Sequence, residues 1–284
     1  MLASSTPVAI VTGTSSGIGR ATSLLLAGSG YRVYATVRSE DSASTLRLET
    51  SGLPVEVLVV DLTEEGSISR AVRQVLETAG RVDALVNNAG YGLVGAVEDL
   101  PRDAVRRQFE VNVFAAMQFC REVLPAMRAQ RTGRIVNVSS LAGRVSVPLM
   151  GAYCATKSAL EAFSDALRVE VKPFGIRVAI IEPGPVLTRF PQASIEASRQ
   201  VLEAPSVYRP VYDRYLRQFR SDGGASAERV AQVILHALGA RRPRSRYRVR
   251  WRETLIAGVT QILPKGAMDW GTAKWSDLGR FRGT

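Results

Sequence analysis

Tyr153 and Lys157 are the residues whose types and spacing point most directly to chemistry. They lie four positions apart in GAYCATKSALEAFSDAL, whose Ala, Leu and Phe spacing is helical, so both side chains are expected on one helix face. A tyrosine with a pKa of about 10 is a weak acid–base catalyst at neutral pH, and a neighbouring ammonium lowers that pKa. The pair predicts an acid–base site, although such a pair alone is more often an exposed helix pair.

A glycine-rich turn follows the first apolar run of the chain. The segment TGTSSGIG at 12–19 places Gly13, Gly17 and Gly19 ahead of a helical segment, Arg20–Ala27. Glycines let the backbone approach a pyrophosphate, whose charge is met by free N–H groups and the positive end of the helix. The spacing Gly-x-x-x-Gly-x-Gly differs from the usual dinucleotide fingerprint, so a ligand-free tight turn stays open as an alternative.

The strands and helices that position these residues can be predicted from the sequence. Short apolar runs alternate with segments of helical period. The runs are Val8–Val11, Val33–Thr36, Val55–Val60, Ala84–Val86, Ile135–Val138 and Ile176–Ile181. Runs so uniformly apolar suit parallel strands covered on both faces, and parallel neighbours require crossover helices. We therefore predict one α/β domain across 1–284, a single doubly wound, Rossmann-type parallel sheet with helices on both faces.

The second half of the chain adds three further segments. Between 185 and 225 the strand rhythm is lost among four prolines, which predicts an inserted helical substrate lid. A helical period resumes at Ala227–Leu238, and the alternation of charged and apolar residues at Arg246–Arg250 predicts a last strand. Residues 252–284 form a basic C-terminal tail.

Charge is concentrated near the C-terminus. The net charge is +11, and residues 241–284 hold eleven Lys or Arg residues against Glu253, Asp269 and Asp277. The alternation at 246–251 favours a solvated strand face, with weak peripheral membrane contact through the tail as the second interpretation. A nucleic-acid partner is not expected.

Composition and motif content exclude several classes of protein. Hydrophobic residues make up 46% and charged residues 22%, as in globular proteins. No apolar run reaches the eighteen residues of a membrane span, and the first residues lack an export signal. Cys120 and Cys154 have no disulfide or metal spacing, so we expect no metal and a cytoplasmic location. The single histidine, His236, lies in a segment of helical period, where it is not expected to assemble a Ser-His-Asp triad or a histidine-rich metal site.

Several segments at the ends of predicted strands resemble motifs of the short-chain dehydrogenase/reductase family. TGTSSGIG looks like its TGxxxGIG cofactor loop, 87–90 like its NNAG motif, 61–62 like its adenine-side acidic pair and 183–188 like its PG-xxx-T element. Ligands of open parallel sheets bind outside the carboxyl ends of the strands, where these loops converge. The resemblance implies a nicotinamide dinucleotide held by Gly13, Ser15, Ser16, Gly17, Ile18, Gly19, Arg38, Asp61, Leu62, Asn88, Ala89, Gly90, Tyr153, Lys157, Pro183, Gly184, Val186 and Thr188.

The same resemblance implies catalytic roles for Asn112, Ser140, Tyr153 and Lys157. The family's thirteen-residue interval selects Ser140, whereas periodicity alone does not choose between Ser139 and Ser140. Ser140 would polarise the substrate oxygen and Tyr153 deliver the proton, while Lys157 also binds the nicotinamide ribose. The nicotinamide charge would add to that of Lys157 in lowering the pKa of Tyr153. Asn112 matches the asparagine that holds a water against the lysine, with a polar helix residue as the alternative.

The second strand bears on which nicotinamide cofactor is bound. NAD specificity is commonly signalled by an acid at the tip of this strand, where the sequence reads Tyr-Ala-Thr-Val-Arg instead. Arg38 is suited to hold a 2′-phosphate, which favours NADP(H). Glu40 and Asp41 keep NAD(H) open, and a solvated loop arginine is the alternative for Arg38.

The resemblance is strongest to the 17β-hydroxysteroid and retinol dehydrogenase branch. It rests on VYATVR, GRVDALVNNAGYGLVGAVEDL, YCATKSALEAF and IEPGPVLT. It implies an oxidoreductase that interconverts a ketone or aldehyde and an alcohol on a lipophilic small molecule. The branch's steroid enzyme keeps a histidine beyond the lid helix, and 205–225 has none. Candidate substrate contacts are Leu93, Val94, Leu149 and Val186, with core packing as their alternative.

Two further expectations depend on the family. Its long helices, here at about 103–130 and 152–172, commonly pair subunits, which implies a homodimer or homotetramer. Some relatives with degraded sites bind the dinucleotide without catalysis, so a redox sensor or scaffold is the alternative function. The intact Ser, Tyr and Lys argue against that alternative.

Overall fold

A parallel sheet forms the centre of the molecule. The computed structural model describes residues 6–218 and 224–276. Its strands are β1 (Val8–Val11), β2 (Arg32–Val37), β3 (Val55–Val59), β4 (Ala84–Asn87), β5 (Gly133–Val138), β6 (Ile176–Ile181), β7 (Val186–Leu187), β8 (Ala225–Ser226) and β9 (Arg246–Tyr247). Seven of these form one sheet in the order β3-β2-β1-β4-β5-β6-β9 with every neighbouring pair parallel, and β7 pairs with β8.

Helices make the crossovers and the C-terminal region. They are α1 (Gly17–Gly28), α2 (Glu40–Glu49), α3 (Glu65–Ala79), α4 (Arg102–Phe109), α5 (Ala115–Gln130), α6 (Gly151–Val171), α7 (Phe190–Ala197), α8 (Arg199–Glu203), α9 (Arg209–Gln218), α10 (Ala227–Gly239), α11 (Trp251–Ile262) and α12 (Lys265–Trp275). A π-helical turn at Glu110–Phe114 joins α4 to α5. The helix predicted across 103–130 is thus continuous but locally widened.

Two apolar cores lie on opposite faces of the sheet. Alternate residues of β1 point to opposite faces, so Ala9 and Val11 pack with α1 and α10, whereas Val8 and Ile10 pack with α3, α5 and α6. Both faces are covered, which is why the central strands are predominantly apolar. The predicted fold class, a doubly wound parallel sheet, is confirmed.

The last strand is shorter than predicted. Only Arg246 and Tyr247 pair with β6, and α11 begins at Trp251. The alternation of burial continues to Val249, but the carboxylate of Glu253 accepts hydrogen bonds from the N–H groups of Val249 and Arg250, both at 2.9 Å. These donors therefore cap a helix instead of extending a sheet.

The predicted lid and tail are largely helical. Residues 185–225 contain β7, α7, α8, α9 and the start of β8, and the tail contains most of α11 and all of α12. The parts of these two segments at 219–223 and 277–284 lie outside the described residues. The role of 185–225 as a substrate lid stays a prediction.

Candidate active site

The glycine loop after β1 is fastened to the loop after β4. The Asn88 side-chain amide donates hydrogen bonds to the carbonyls of Thr12 and Gly13, at 2.9 and 3.1 Å. The hydroxyl of Thr12 accepts from the N–H groups of Asn88 and Ala89, both at 3.0 Å. A Cβ atom added at Gly19 would lie 2.3 Å from the Gly13 carbonyl oxygen, so the turn closes only with glycine there.

The N-terminus of α1 fits a pyrophosphate. Its N-cap residue, Ser16, makes no side-chain cap, and the first turn has no acidic residue, so the first N–H groups have no side-chain partner. Gly17 has φ +59°, and a Cβ atom there would lie 3.0 Å from the Thr188 methyl group. The 183–188 segment therefore reaches the same cleft as the glycine loop. Ser15 is exposed, and Ile18 is half-buried.

Two predicted adenosine-side residues lie close together at the ends of β2 and β3. Arg38 is exposed directly after β2, and Asp61 is exposed shortly after β3. Asp61 accepts hydrogen bonds from the N–H and hydroxyl of Thr63, at 2.8 and 2.7 Å, and these bonds, with smaller contributions from Arg38 and Arg107, lower its pKa. Leu62 is half-buried beside them.

Ser140, Tyr153 and Lys157 converge where β5 ends. Ser140 follows the strand, its hydroxyl accepts from the N–H of Ala142 at 3.1 Å, and its proximity to the phenol of Tyr153 lowers the pKa of that phenol. The Lys157 ammonium donates to the Val138 carbonyl at 2.9 Å and lies 5.8 Å from the centroid of the Tyr153 ring. The end of β5 and the first turns of α6 thus bring these three side chains together.

Burial shifts the pKa values of Tyr153 and Lys157. Desolvation raises the pKa of Tyr153 to about 12, against the opposing hydrogen bond from Ser140. Desolvation also lowers the pKa of Lys157 to about 8, against the opposing charge of Glu161. The low-dielectric surroundings thus disfavour both charged forms, and the expected lowering of the Tyr153 pKa by Lys157 together with the nicotinamide charge stays a prediction.

Asn112 lies in the π-helical turn between α4 and α5, behind the site. Its amide donates to the Tyr91 carbonyl at 2.9 Å and to the Thr156 hydroxyl at 3.1 Å, and its oxygen accepts from the Tyr91 N–H at 3.0 Å. A Cβ atom added at Gly90 would lie 3.1 Å from the Asn112 side-chain oxygen and 3.6 Å from the Lys157 nitrogen. Asn112 therefore fixes the 90–91 backbone beside Lys157.

The apolar residues predicted to contact substrate are mostly in the core. Leu93, Val94 and Leu149 are only 1%, 0% and 5% exposed, and Val94 and Leu149 pack against side chains of α8 and α9. Leu149 has φ +65°, and its carbonyl accepts a hydrogen bond from the N–H of Gly95 at 2.8 Å. The positions of these three residues agree with the core-packing alternative. Val186 is half-buried against the sheet core.

Helices α7 to α9 lie against the loop after β4. The N–H of Val94 donates to the Ser198 hydroxyl at 2.7 Å, and the N–H of Ala96 donates to the Tyr212 hydroxyl at 2.8 Å. The Phe190 ring packs 5.5 Å from that of Tyr153, centroid to centroid. Sequence reasoning missed Phe190, because no motif marks it and its contact with Tyr153 is created only by folding.

A buried ion cluster holds the segments around the site. The carboxylate of Glu182, fully buried at the end of β6, lies 3.0 Å from the guanidinium groups of both Arg144 and Arg246 and 2.9 Å from that of Arg248. Arg144 also pairs with Glu161 of α6 at 2.9 Å. The predicted solvated face is therefore wrong for Arg246 and Arg248, since both arginines turn inward to neutralise Glu182.

The cluster reaches the candidate catalytic residues through their sequence neighbours. Glu161 lies one turn after Lys157 on α6 and accepts a hydrogen bond from the Ser139 hydroxyl at 2.9 Å. Glu182 directly precedes the 183–188 segment. Ser139 is thus assigned a structural partner, while Ser140 faces Tyr153.

Two classes of site have no counterpart among the described residues. No group of three or more His, Cys, Asp or Glu side chains in 6–218 and 224–276 is arranged to hold a metal ion. Within the same residues, no helix combines the length and apolarity needed to cross a bilayer. The ring of His236 packs edge-on against Tyr247 at 5.7 Å, away from the catalytic group.

The chain is similar to known proteins of one family. Residues 7–199 match the short chain dehydrogenase family. The chain is 35% identical over 270 residues to the probable short-chain type dehydrogenase/reductase VdlC of Helicobacter pylori, covering 92% of this chain and 95% of that protein. It is 34% identical over 268 residues to 3-ketodihydrosphingosine reductase of Bacteroides thetaiotaomicron, covering 93% and 92%. It is also 34% identical over 272 residues to retinol dehydrogenase 8 of Bos taurus, covering 91% and 86%.

Solved structures share the fold along most of the chain. A short-chain dehydrogenase from Streptomyces avermitilis has a TM-score of 0.80 at 31% identity, over 98% of both chains. One from Burkholderia phymatum in complex with NAD has a TM-score of 0.80 at 26% identity, over 91% of this chain and 94% of its own. A metagenomic short-chain oxidoreductase in complex with NADP has a TM-score of 0.69 at 27% identity, over 86% and 97%.

The buried ammonium of Lys157 predicts a pH-dependent effect of its removal. Its pKa is about 8 in the folded protein against 10.5 as the ordinary value. The unfolded chain therefore binds more protons between these pH values, and the stability of the wild type rises with pH across that window. Lys157→Met should raise the free energy of unfolding at pH 7 by about 1–2 kcal/mol, after loss of the hydrogen bond to Val138. This gain should shrink by pH 10.

Denaturant titrations at pH 7 and pH 10 measure the effect, with Lys172→Met as the control because Lys172 is exposed. A Lys157→Met gain that is the same at both pH values would contradict the assignment.

The ion cluster predicts a stability difference between two arginine variants. Arg246→Ala removes one partner of the fully buried Glu182 carboxylate and should lower the free energy of unfolding by about 3 kcal/mol. Arg70→Ala breaks an exposed pair with Glu64 and should cost less than about 1 kcal/mol. Chemical denaturation of both variants measures the difference, and equal losses would show that the cluster does not bear on stability.

Proposed function

Because the chain belongs to the short-chain dehydrogenase family, we propose that it is an NADP(H)-dependent oxidoreductase that interconverts a ketone or aldehyde and an alcohol on a lipophilic small molecule. The observation that carries this proposal is the convergence of Ser140, Tyr153 and Lys157 beside the glycine loop. The close approach of Gly13 and Gly19 and the uncapped start of α1 fit a dinucleotide.

The chain's own residues supply placement and the proton. The hydroxyl of Ser140 lies near the phenol of Tyr153, and both groups can bind one substrate oxygen. In reduction Tyr153 gives its proton to that oxygen, and in oxidation it takes the proton back. Lys157, fixed by the Val138 carbonyl, places positive charge beside the phenol that loses its proton. When bound, the nicotinamide supplies the hydride to the carbonyl carbon or accepts it from the alcohol.

The raised pKa of Tyr153 keeps the phenol protonated, which suits a proton donor. Lowering that pKa for the reverse reaction takes positive charge beyond that of Lys157, and we assign this to the oxidised nicotinamide.

We propose that the chain prefers NADP(H) to NAD(H), because of the residues at the end of β2. Thr36 and Val37 are buried and carry no carboxylate, and Arg38 is exposed at the mouth of the cleft. A guanidinium pairs well with a 2′-phosphate. Solved relatives hold either NAD or NADP, so the preference rests on this residue.

The lipophilic substrate class is supported by the relatives and by the covering helices. Two relatives are named for 3-ketodihydrosphingosine and retinol, both lipids. In this chain Phe190 packs on Tyr153, and Leu187 and Val207 are exposed on the 185–225 segment. We propose that α7 to α9 form the substrate lid and that it opens to admit an apolar chain. We also propose a cytoplasmic homodimer or homotetramer that pairs through α5 and α6.

Removing the phenol hydroxyl tests the catalytic assignment. Tyr153→Phe should lower kcat by about a thousandfold, within the range of general acid–base catalysis, while NADPH binding is retained. Turnover is followed by NADPH absorbance with a panel of long-chain ketones and aldehydes, and binding is followed by calorimetry. Tyr31→Phe serves as the control.

Wild-type turnover by Tyr153→Phe would overturn the role of Tyr153. A wild-type chain that binds NADPH but turns over no member of the panel would favour the sensor or scaffold function.

Replacing Arg38 tests the cofactor preference. Arg38→Ala should raise KM for NADPH by about tenfold or more and leave KM for NADH nearly unchanged, because a charge-assisted hydrogen bond to the 2′-phosphate is lost. Arg73→Ala, at an exposed arginine of α3, is the matched control. Equal changes with both cofactors would assign Arg38 to the solvated loop surface.

A further inference from the structure

All tryptophans of the chain lie in its two C-terminal helices. The three residues are Trp251 in α11 and Trp270 and Trp275 in α12. Trp251 is 71% exposed and Trp270 is 68% exposed. Tryptophan is highly buried on average in globular proteins. Two exposed rings in neighbouring helices therefore indicate an interaction surface.

Trp251 begins an apolar stripe along α11. The stripe continues through Leu255 and Val259 to Leu263, which directly follows the helix, and all four side chains are exposed. Positions four apart advance only about 40° around a helix, so these residues share one side. Glu253, about 200° from Trp251, is buried and caps the helix. The buried glutamate anchors α11 to the protein and leaves the stripe facing outward.

Positive charges accompany these apolar residues. The guanidinium of Arg252 lies 5.6 Å from the centroid of the Trp251 ring, and the ammonium of Lys274 lies 5.1 Å from that of Trp270. Arg241, Arg242 and Arg244 are exposed in the segment before β9. Residues 241–276 contain two acidic residues, Glu253, which is buried, and Asp269, which is exposed. The exposed charge is therefore mostly positive.

We propose that the exposed side of α11 and α12 is a docking surface for the interface of anionic lipid bilayers. Trp, Leu and Val side chains enter the headgroup boundary, and Arg and Lys side chains meet the lipid phosphates. Association with a second copy of this surface would bring like charges together. A nucleic acid would leave Leu255 and Val259 exposed to water. The lipid interface satisfies both the apolar and the charged residues.

The docking surface is connected to the nicotinamide-side loop. A Cβ atom added at Gly184 would lie 2.7 Å from the Glu253 carboxylate, so α11 packs directly on the segment that leads into α7. A lipid-bound α11 would therefore place that segment near the source of an apolar substrate. This last consequence rests on the proposed function, whereas bilayer binding itself does not.

Vesicle sedimentation tests the surface without any assay of activity. The full chain is mixed with phosphatidylcholine vesicles with or without about one third phosphatidylglycerol. We expect sedimentation with the anionic vesicles that weakens as salt is raised, because salt screens the charge attraction. Tryptophan emission should shift to shorter wavelength on binding, and it reports only on α11 and α12 because the chain has no other tryptophans.

Two pairs of substitutions locate the surface. Trp251→Ser with Leu255→Ser should lower vesicle partitioning by about tenfold or more through loss of buried apolar area. Arg252→Gln with Lys274→Gln should lower binding to anionic vesicles only. The matched controls are Leu48→Ser with Leu53→Ser, at exposed apolar residues of α2 and of the turn that follows it, and Arg73→Gln. An unchanged thermal midpoint shows that each variant folds.

Three results would overturn the proposal. One is absence of wild-type sedimentation with anionic vesicles. Another is an equal loss of binding in the control variants. The third is self-association or nucleic-acid binding that depends on Trp251 while vesicle binding does not.

Discussion

The carboxylate of Glu182 is the constraint on which the arrangement of the site depends. Removing a charge from water costs several kcal/mol, so a fully buried carboxylate must be surrounded by partners. Its partners are Arg144 from the loop after β5 and Arg246 and Arg248 from the C-terminal segment. The need to neutralise one carboxylate brings together segments that are distant in the chain. The cluster thus joins the 183–188 loop, the end of β5 and α6, whose strands and helix are also held by sheet pairing and apolar packing.

Exclusion of water from the catalytic group has two electrostatic consequences. It raises the pKa of Tyr153 and lowers that of Lys157, so each side chain is driven toward its neutral form. The same low dielectric strengthens any charge brought to the site by a ligand. Such surroundings keep the phenol of Tyr153 protonated. A charged ligand bound beside Tyr153 would shift its pKa strongly.

Helices α7 to α9 and α11 to α12 surround this site in different ways. The first group is held by hydrogen bonds from the backbone of Val94 and Ala96 and closes over Tyr153 through Phe190. The second group is anchored by Glu253 and leaves an apolar side exposed. The two groups thus differ in how they meet solvent, because the first covers Tyr153 and the second exposes apolar side chains.

The sequence by itself determined the doubly wound sheet, because uniformly apolar runs are local and parallel strands require them. It also determined the glycine loop and the shared helix face of Tyr153 and Lys157, since each depends on short-range geometry. Only the tertiary structure decided that Arg246 and Arg248 turn inward, because an alternating strand has the same pattern whether its charges meet water or a buried carboxylate. Packing of α8 and α9 likewise decided that Val94 and Leu149 are core residues. These outcomes depend on contacts between residues far apart in the chain, which no local pattern encodes.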